Sequence, residues 1–170
     1  IIYYASILNS IGKGRVIGID IEIRKKNLIA LQKHKLFNKI NLLEGSSTSK
    51  NIIKKVKELI GNSKKIIVIF DSSHTYKHVS KELNVYSKFV SKNSYIVVTD
   101  GYQEYLKNVP RAKADYKEYS KTWKKNNPKK AAEQFTNINS NFKIVEPKFP
   151  FNESKINFRV THWPSAFLKK

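Results

Sequence analysis

Short apolar runs alternate with segments whose apolar residues recur at helical spacing. The runs at 15–20, 40–43, 65–70 and 95–101 are continuous and apolar, which is typical of strands buried on both faces of a parallel sheet. Between and before them, helical spacing predicts helices in the segments 2–11, 27–35, 49–60 and 79–90. About four such alternations predict an α/β fold, a three-layer sandwich with a mostly parallel, twisted sheet wrapped by helices.

The second half of the chain departs from this alternation. Residues 102–130 lack a clean apolar period and are predicted to form a lid or insertion. Pro128 suits the first turn of a helix that runs to about Asn139. Segments 142–145 and 156–161 are predicted to be an antiparallel pair at the sheet edge. Because no linker or repeat interrupts the pattern, we expect a single domain over 1–170.

Composition narrows the function classes. A chain of 170 residues and 19.7 kDa supports one sizeable core. It has no cysteine, which excludes thiolate metal sites and cysteine nucleophiles. It shows neither a spanning apolar run nor a secretory signal, so a cytoplasmic location is the default expectation. The chain also lacks methionine and opens at Ile1 inside a helical segment, which predicts that the natural N-terminus lies upstream.

The formal net charge of +20 at pH 7 raises the question of a polyanionic partner. The lysines, however, are spread along the whole chain, and no cluster of aromatic and arginine residues resembles a nucleic-acid module. We therefore do not expect nucleic acid as the partner. Weak attraction to acidic lipid or glycan stays open.

Acidic residues stand at the carboxyl ends of three predicted strands: Asp20, Asp71 and Asp100. Ligands bind at these ends in open parallel sheets. Asp20 could accept hydrogen bonds from the ribose hydroxyls of a nucleotide, or could equally be a solvated turn residue or helix cap. The segment 44–47 could border an adenine-like group, although that motif is weak by itself.

Asp71 and His74 lie three residues apart at a strand-to-helix turn and can face one crevice. Their ligand atoms suit a divalent cation, and the same pair suits general-base chemistry. The alternative is that Asp71 caps the following helix. Asp100 ends the next strand, and since neighbouring strands are about 5 Å apart, two carboxylates could share one cation. The other histidines, His34, His78 and His162, have the pattern of surface or packing residues.

Several segments together are recognisable: GIDIEIR at 18–24, LEGSST at 43–48, DSSHTYKHV at 71–79, and Glu82 and Leu83 with Tyr86. With these segments the chain resembles the cephalosporin hydroxylase / rhamnosyl O-methyltransferase family over nearly its whole length. The resemblance implies the Rossmann-like class I methyltransferase fold and S-adenosylmethionine as cofactor. Two departures accompany it. Thr99 stands where the family usually has a glutamate, and the family's first strand and glycine-rich loop would have to precede Ile1.

The resemblance also implies roles for individual residues. Asp20 would bind the cofactor ribose and Gly45 and Ser46 would lie near its adenine, with Gly18 and Glu44 in the same cofactor site. Asp71 and Asp100 would hold a magnesium-type ion, and His74, with Asp71, would act beside the transferred methyl group.

The expected function is S-adenosylmethionine-dependent O-methylation of a hydroxyl on a sugar, glycan or secondary metabolite, assisted by a divalent cation such as Mg²⁺. Two alternatives remain: a cephalosporin-hydroxylase-type protein or partner subunit of a hydroxylase, and a basic module that binds nucleic acid or membrane. The partner expected is a small-molecule or glycan acceptor, and self-association into a homo-oligomer is left open.

Overall fold

A computed structural model describes residues 1–108, 121–146 and 161–170 of the chain. These residues form two compact units, Ile1–Asn62 and Ser63–Lys170, each of which is described by itself. No helix in the described ranges is long and apolar enough to cross a membrane.

The first unit contains two parallel strands with helices before, between and after them. Its elements are α1 (Ile2–Ser10), β1 (Val16–Asp20), α2 (Lys25–Gln32), a 3₁₀ turn (Phe37–Lys39), β2 (Ile40–Glu44) and α3 (Lys50–Ile60). In the parallel register Val16 lies opposite Ile40 and Asp20 opposite Glu44. The hydroxyl of Ser49 accepts from the amide of Ile52 and so caps α3.

The second unit contains a four-stranded sheet of order β3-β4-β6-β5. Its elements are β3 (Val68–Phe70), α4 (Tyr76–Tyr86), β4 (Tyr95–Val98), a 3₁₀ helix (Gly101–Asn108), α5 (Pro128–Ile138), β5 (Lys143–Ile144) and β6 (Phe167–Lys169). The β3–β4 pair is parallel, whereas β6 is antiparallel to both β4 and β5. Helices α4 and α5 pack against each other. The α/β class is thereby confirmed, with both parallel and antiparallel pairs among the described strands.

The strand predicted at 65–70 is shorter and less buried than expected. It begins at Val68, and while Phe70 is buried, Ile67 is 62 % and Ile69 37 % exposed. Alternate residues of a strand point to opposite faces. Phe70 faces α4, where its ring contacts that of Tyr86, and Ile69 consequently faces away from this helix. Burial on both faces was a wrong prediction for this strand.

The predictions for the second half of the chain have mixed outcomes. Helix α5 begins with Pro128 in its first turn, as predicted. Asn127 caps this helix, because its side chain accepts from the amide of Lys130. The strand beside β5 is β6 near the C-terminus, a strand that the apolar pattern did not predict. Of the predicted strand at 156–161, only residue 161 is among the described residues. Residues 109–120 of the predicted lid also lie outside them.

Candidate active site

Three side chains meet at the carboxyl ends of β3 and β4. Asp71 directly follows β3, and Asp100 comes two residues after β4. The two strands are parallel neighbours, so these ends meet at the same edge of the sheet. One ligand atom each from Asp71, His74 and Asp100 lies within 4.8 Å of the other two, and His74 Nδ1 is 3.4 Å from Asp100 Oδ2. The structure thus brings together the three residues that the sequence analysis proposed for a common crevice.

The start of α4 determines where His74 lies. Thr75 is the N-cap, and its hydroxyl accepts from the amide of His78. The alternative that Asp71 caps this helix is therefore wrong. Asp71 instead receives a contact from Thr99, whose Oγ1 lies 3.1 Å from Asp71 Oδ1. The carboxylate and the imidazole both remain on the turn, where a ligand could reach them.

Thr99 lies under this cluster and is buried. Besides the contact with Asp71, its Oγ1 lies 3.0 Å from the carbonyl oxygen of Phe70 and 3.4 Å from Asp100 Oδ2. A hydroxyl carries one proton and can donate to only one of these three acceptors at a time. The two carboxylates are therefore only partly compensated by this donor, which favours a cation beside them.

The backbone at Asp100 adopts a conformation that most residues avoid. Its φ is +56°, in the left-handed region that aspartate tolerates better than most side chains. The next residue, Gly101, is in close contact with two segments: a Cβ there would lie 2.9 Å from the carbonyl oxygen of Pro164 and 3.0 Å from Lys129 Cβ. Such backbone conformations occur preferentially at ligand sites, where surrounding contacts hold them.

A buried acid lies behind the turn, and its burial was not predicted from the sequence. Glu82 on α4 is 2 % exposed, accepts a 2.7 Å hydrogen bond from Ser72 Oγ, and lies 3.3 Å from His78 Nε2. His78, interpreted from the sequence as a surface or packing residue, is thus the partner of this carboxylate. Burial, and then the negative charge of Glu82, raises the pKa of Tyr86 to about 12. Helical spacing could have revealed Glu82, because it shares a face with the buried residues Val79, Leu83 and Tyr86.

In the first unit, two carboxylates lie side by side where β1 and β2 end. Asp20 Oδ1 accepts from the amide of Glu22 and Glu44 Oε2 from that of Ile23, both at 3.2 Å. Both side chains thus help to hold the loop that follows β1. Asp20 therefore behaves as a turn residue. Its side chain is exposed, and its role in nucleotide binding stays a prediction.

The other predicted cofactor residues lie on or next to these strands. Gly18 is on β1, where a Cβ would contact the flexible end of the Ile1 side chain, which would have to shift to make room. Gly45 has a φ of +141°, and its amide donates a 2.7 Å hydrogen bond to the carbonyl oxygen of Asp20. The hydroxyl of Ser46 lies 3.2 Å from that of Thr48. These contacts place Gly45 beside Asp20 but do not test whether a cofactor binds there.

An ion-pair cluster joins the 3₁₀ helix that follows Asp100 to α5. Lys129 Nζ lies 2.6 Å from Glu104 Oε2 and 3.6 Å from Glu133 Oε1, while Lys130 Nζ lies 3.4 Å from Glu104 Oε1. The hydrogen bond from Lys129, together with the positive charges of both lysines, lowers the pKa of Glu104. Burial alone would lower the pKa of Lys129, but its bonds to Glu104 and Tyr105 and the nearby carboxylates outweigh burial and raise it.

Comparisons with known proteins agree with this architecture. The family model described as rhamnosyl O-methyltransferase/CmcI matches residues 1–170. The search among curated proteins found no match. One solved structure, MycE methyltransferase from the mycinamycin biosynthetic pathway in complex with Mg and SAH (crystal form 2), is 20 % identical with a TM-score of 0.51, over 92 % of this chain and 36 % of that one.

Two further MycE structures were found. The complex with Mg and SAH in crystal form 1 is 22 % identical with a TM-score of 0.41, over 54 % of this chain and 23 % of that one. The complex with Mg, SAH and mycinamycin VI is 21 % identical with a TM-score of 0.40, over 62 % of this chain and 26 % of that one. This chain therefore spans between about a quarter and about a third of the length of the solved structures that it resembles.

Proposed function

This chain belongs to the rhamnosyl O-methyltransferase/CmcI family, and on that premise we propose that the protein transfers a methyl group from S-adenosylmethionine to a hydroxyl of a sugar or glycan. The observation that carries the proposal is the convergence of Asp71, His74 and Asp100 at one edge of the sheet. Two carboxylates and an imidazole supply what O-methylation needs, namely a site for a cation and a base for the hydroxyl proton.

The transfer forms a bond between the acceptor oxygen and the methyl carbon as the bond from that carbon to the sulfonium sulfur breaks. The hydroxyl proton must leave, and we assign it to His74. The imidazole is partly exposed and close to Asp100, whose carboxylate would stabilise the imidazolium that results. Orientation of the acceptor, together with exclusion of water, would supply further acceleration.

The donor set fits a divalent cation. Mg²⁺ is commonly bound by one or two carboxylates and completes its shell with water or substrate oxygens. Asp71 and Asp100 would hold the ion, which would supply positive charge that lowers the pKa of a bound hydroxyl. Asp20, Gly18, Glu44, Gly45 and Ser46 are the residues that we propose for the cofactor, with Asp20 on its ribose.

A hydroxylase role is less well supported by the described residues. Non-haem iron oxygenases use two histidines and one carboxylate. The cluster found among the described residues has the reverse composition, one histidine and two carboxylates.

The test uses the full-length protein. Millimolar S-adenosylmethionine should raise its melting temperature, and the variant Asp20→Asn should reduce that shift. Binding of Mn²⁺, followed by electron paramagnetic resonance, should be lost in Asp71→Asn and Asp100→Asn. Glu58→Gln is the matched control, because Glu58 is an exposed acid on α3 whose partner Lys54 lies 4.0 Å away. An unchanged melting temperature with the cofactor would contradict the proposal.

A further inference from the structure

A buried carboxylate lies behind the turn that carries Asp71 and His74. Glu82 Oε2 accepts from Ser72 Oγ at 2.7 Å, and Ser72 lies between those two residues in sequence. Glu82 Oε1 lies 3.3 Å from Nε2 of His78, one helical turn earlier on α4. The acid thus links the middle of the turn to the helix that follows it.

Stability alone is a poor explanation for an acid in this position. Removing a carboxylate from water costs several kcal/mol, and apolar side chains of similar volume often serve stability as well or better. Glu82 occupies the apolar face of α4, beside Val79, Leu83 and Tyr86, where a leucine would fit the helical pattern. Its partners Ser72 and His78 indicate that the carboxylate is used for its directional bonds.

Other contacts also hold the turn, and they show which part of it is held by Glu82 alone among the contacts described. The Thr75 cap holds its end, the amide of Thr75 donates to the carbonyl oxygen of Ser73, and Thr99 contacts Asp71 at its start. Ser72 is joined to the helix by its bond to Glu82. Without that bond the backbone on either side of Ser72 could rotate, and the carboxylate and imidazole beside it would move.

We propose that Glu82 is a positioning residue for the Asp71–His74–Asp100 cluster and acts through Ser72. The inference rests on the proposed function, because it assigns to Glu82 the alignment of the groups that bind the cation and take the proton. Glu82 itself is buried, so its effect on the cluster would pass through Ser72. Partners of this kind behind a metal site typically change metal affinity or activity by about 10-fold to 100-fold when removed.

The experiment measures Mn²⁺ affinity by electron paramagnetic resonance in the full chain. Ser72→Ala and Glu82→Ala should each raise the Kd about 10-fold. The double variant should be no worse than either single variant, since both changes break the same contact. Glu82→Gln should recover most of the affinity, because its amide oxygen can still accept from Ser72. Glu58→Gln is again the exposed control.

A loss that merely reflects poorer folding would follow the melting temperature and would disappear at a temperature at which every variant is fully folded. Wild-type affinity in a folded Ser72→Ala variant, or additive losses in the double variant, would overturn the proposal.

A second measurement separates failure of this inference from failure of the proposed function. If the wild-type chain binds no Mn²⁺, the cation site is contradicted, and amide hydrogen exchange then decides the role of Glu82. Exchange at the amides of residues 72–75 should rise about 10-fold in Ser72→Ala and Glu82→Ala, while exchange in β1 stays unchanged. Unchanged exchange at the turn would overturn the role of Glu82.

Discussion

At Thr99, a single hydroxyl faces two carboxylates and a backbone carbonyl at distances of 3.0 to 3.4 Å. Thr99→Val keeps the shape and removes the donor. The free energy of unfolding should fall by about 1 kcal/mol, the usual net value of one hydrogen bond. The carboxylates then repel each other more, so added Mn²⁺ should raise the melting temperature more in the variant than in the wild type.

Thr136→Val is the matched control, because the Thr136 hydroxyl bonds only carbonyl oxygens of its own helix among the contacts described for it. It should leave the response to Mn²⁺ unchanged. A smaller response in Thr99→Val than in the wild type would mean that the hydroxyl is itself a ligand of the cation.

Gly101 offers a second residue-level prediction. A methyl group there must displace the carbonyl of Pro164 or the backbone near Lys129. Gly101→Ala should therefore cost about 1–3 kcal/mol of stability by overpacking, and it should weaken Mn²⁺ binding through movement of Asp100. Chemical denaturation and the metal titration measure the two effects. Gly12→Ala, with no atom within 4 Å of the new Cβ and a φ of +80°, isolates the cost of backbone strain and should leave Mn²⁺ binding unchanged.

The sequence predicted the cluster but not the residues behind it. Asp71 and Asp100 follow apolar runs, and the carboxyl ends of neighbouring parallel strands must meet at one edge. The burial of Glu82 was not predicted, because a charged residue in a helix usually faces solvent. The contacts of Thr99 depend on its orientation toward a neighbouring strand, which one-dimensional spacing cannot give.

At the scale of elements, the Glu104–Lys129 cluster ties the 3₁₀ helix after Asp100 to α5 and should make stability depend on pH. The hydrogen bond from Lys129 keeps the pKa of Glu104 below its ordinary value of 4.5, so the folded state binds fewer protons than the unfolded state. The contribution of Glu104 to the free energy of unfolding is fully present above pH 4.5 and is lost as the pH falls through the lowered pKa. Glu104→Gln should remove it.

Chemical denaturation of both proteins between pH 7 and pH 3 measures this contribution. The difference in unfolding free energy should be largest near neutrality and should shrink at acid pH. The control is Glu58→Gln, whose exposed pair should contribute little at any pH. A difference for Glu104→Gln that is the same at every pH would show that lost packing, not charge, causes it.

Helix ends were more predictable than strand partners. Ser49 and Pro128 mark the starts of α3 and α5 by local chemistry that a sequence displays directly. Strand β6 has only the three residues Phe167–Lys169, too few to show a period of two, yet it lies between β4 and β5. Its assignment needs the long-range pairing of Leu168 with Ile96, which no local pattern contains.

At the scale of the whole molecule, 33 basic residues against 13 acidic ones predict attraction to any polyanion. Spread-out lysines should bind duplex DNA only through phosphates, so affinity should fall by about 10³-fold or more between 50 and 200 mM salt if six or more phosphates are contacted. Fluorescence anisotropy with two unrelated duplexes of equal length should give equal affinities at each salt concentration. Asp71→Asn should leave them almost unchanged, because one charge in so large an excess matters little. Binding that persists at 200 mM salt and prefers one sequence would instead favour a nucleic-acid function over methyl transfer.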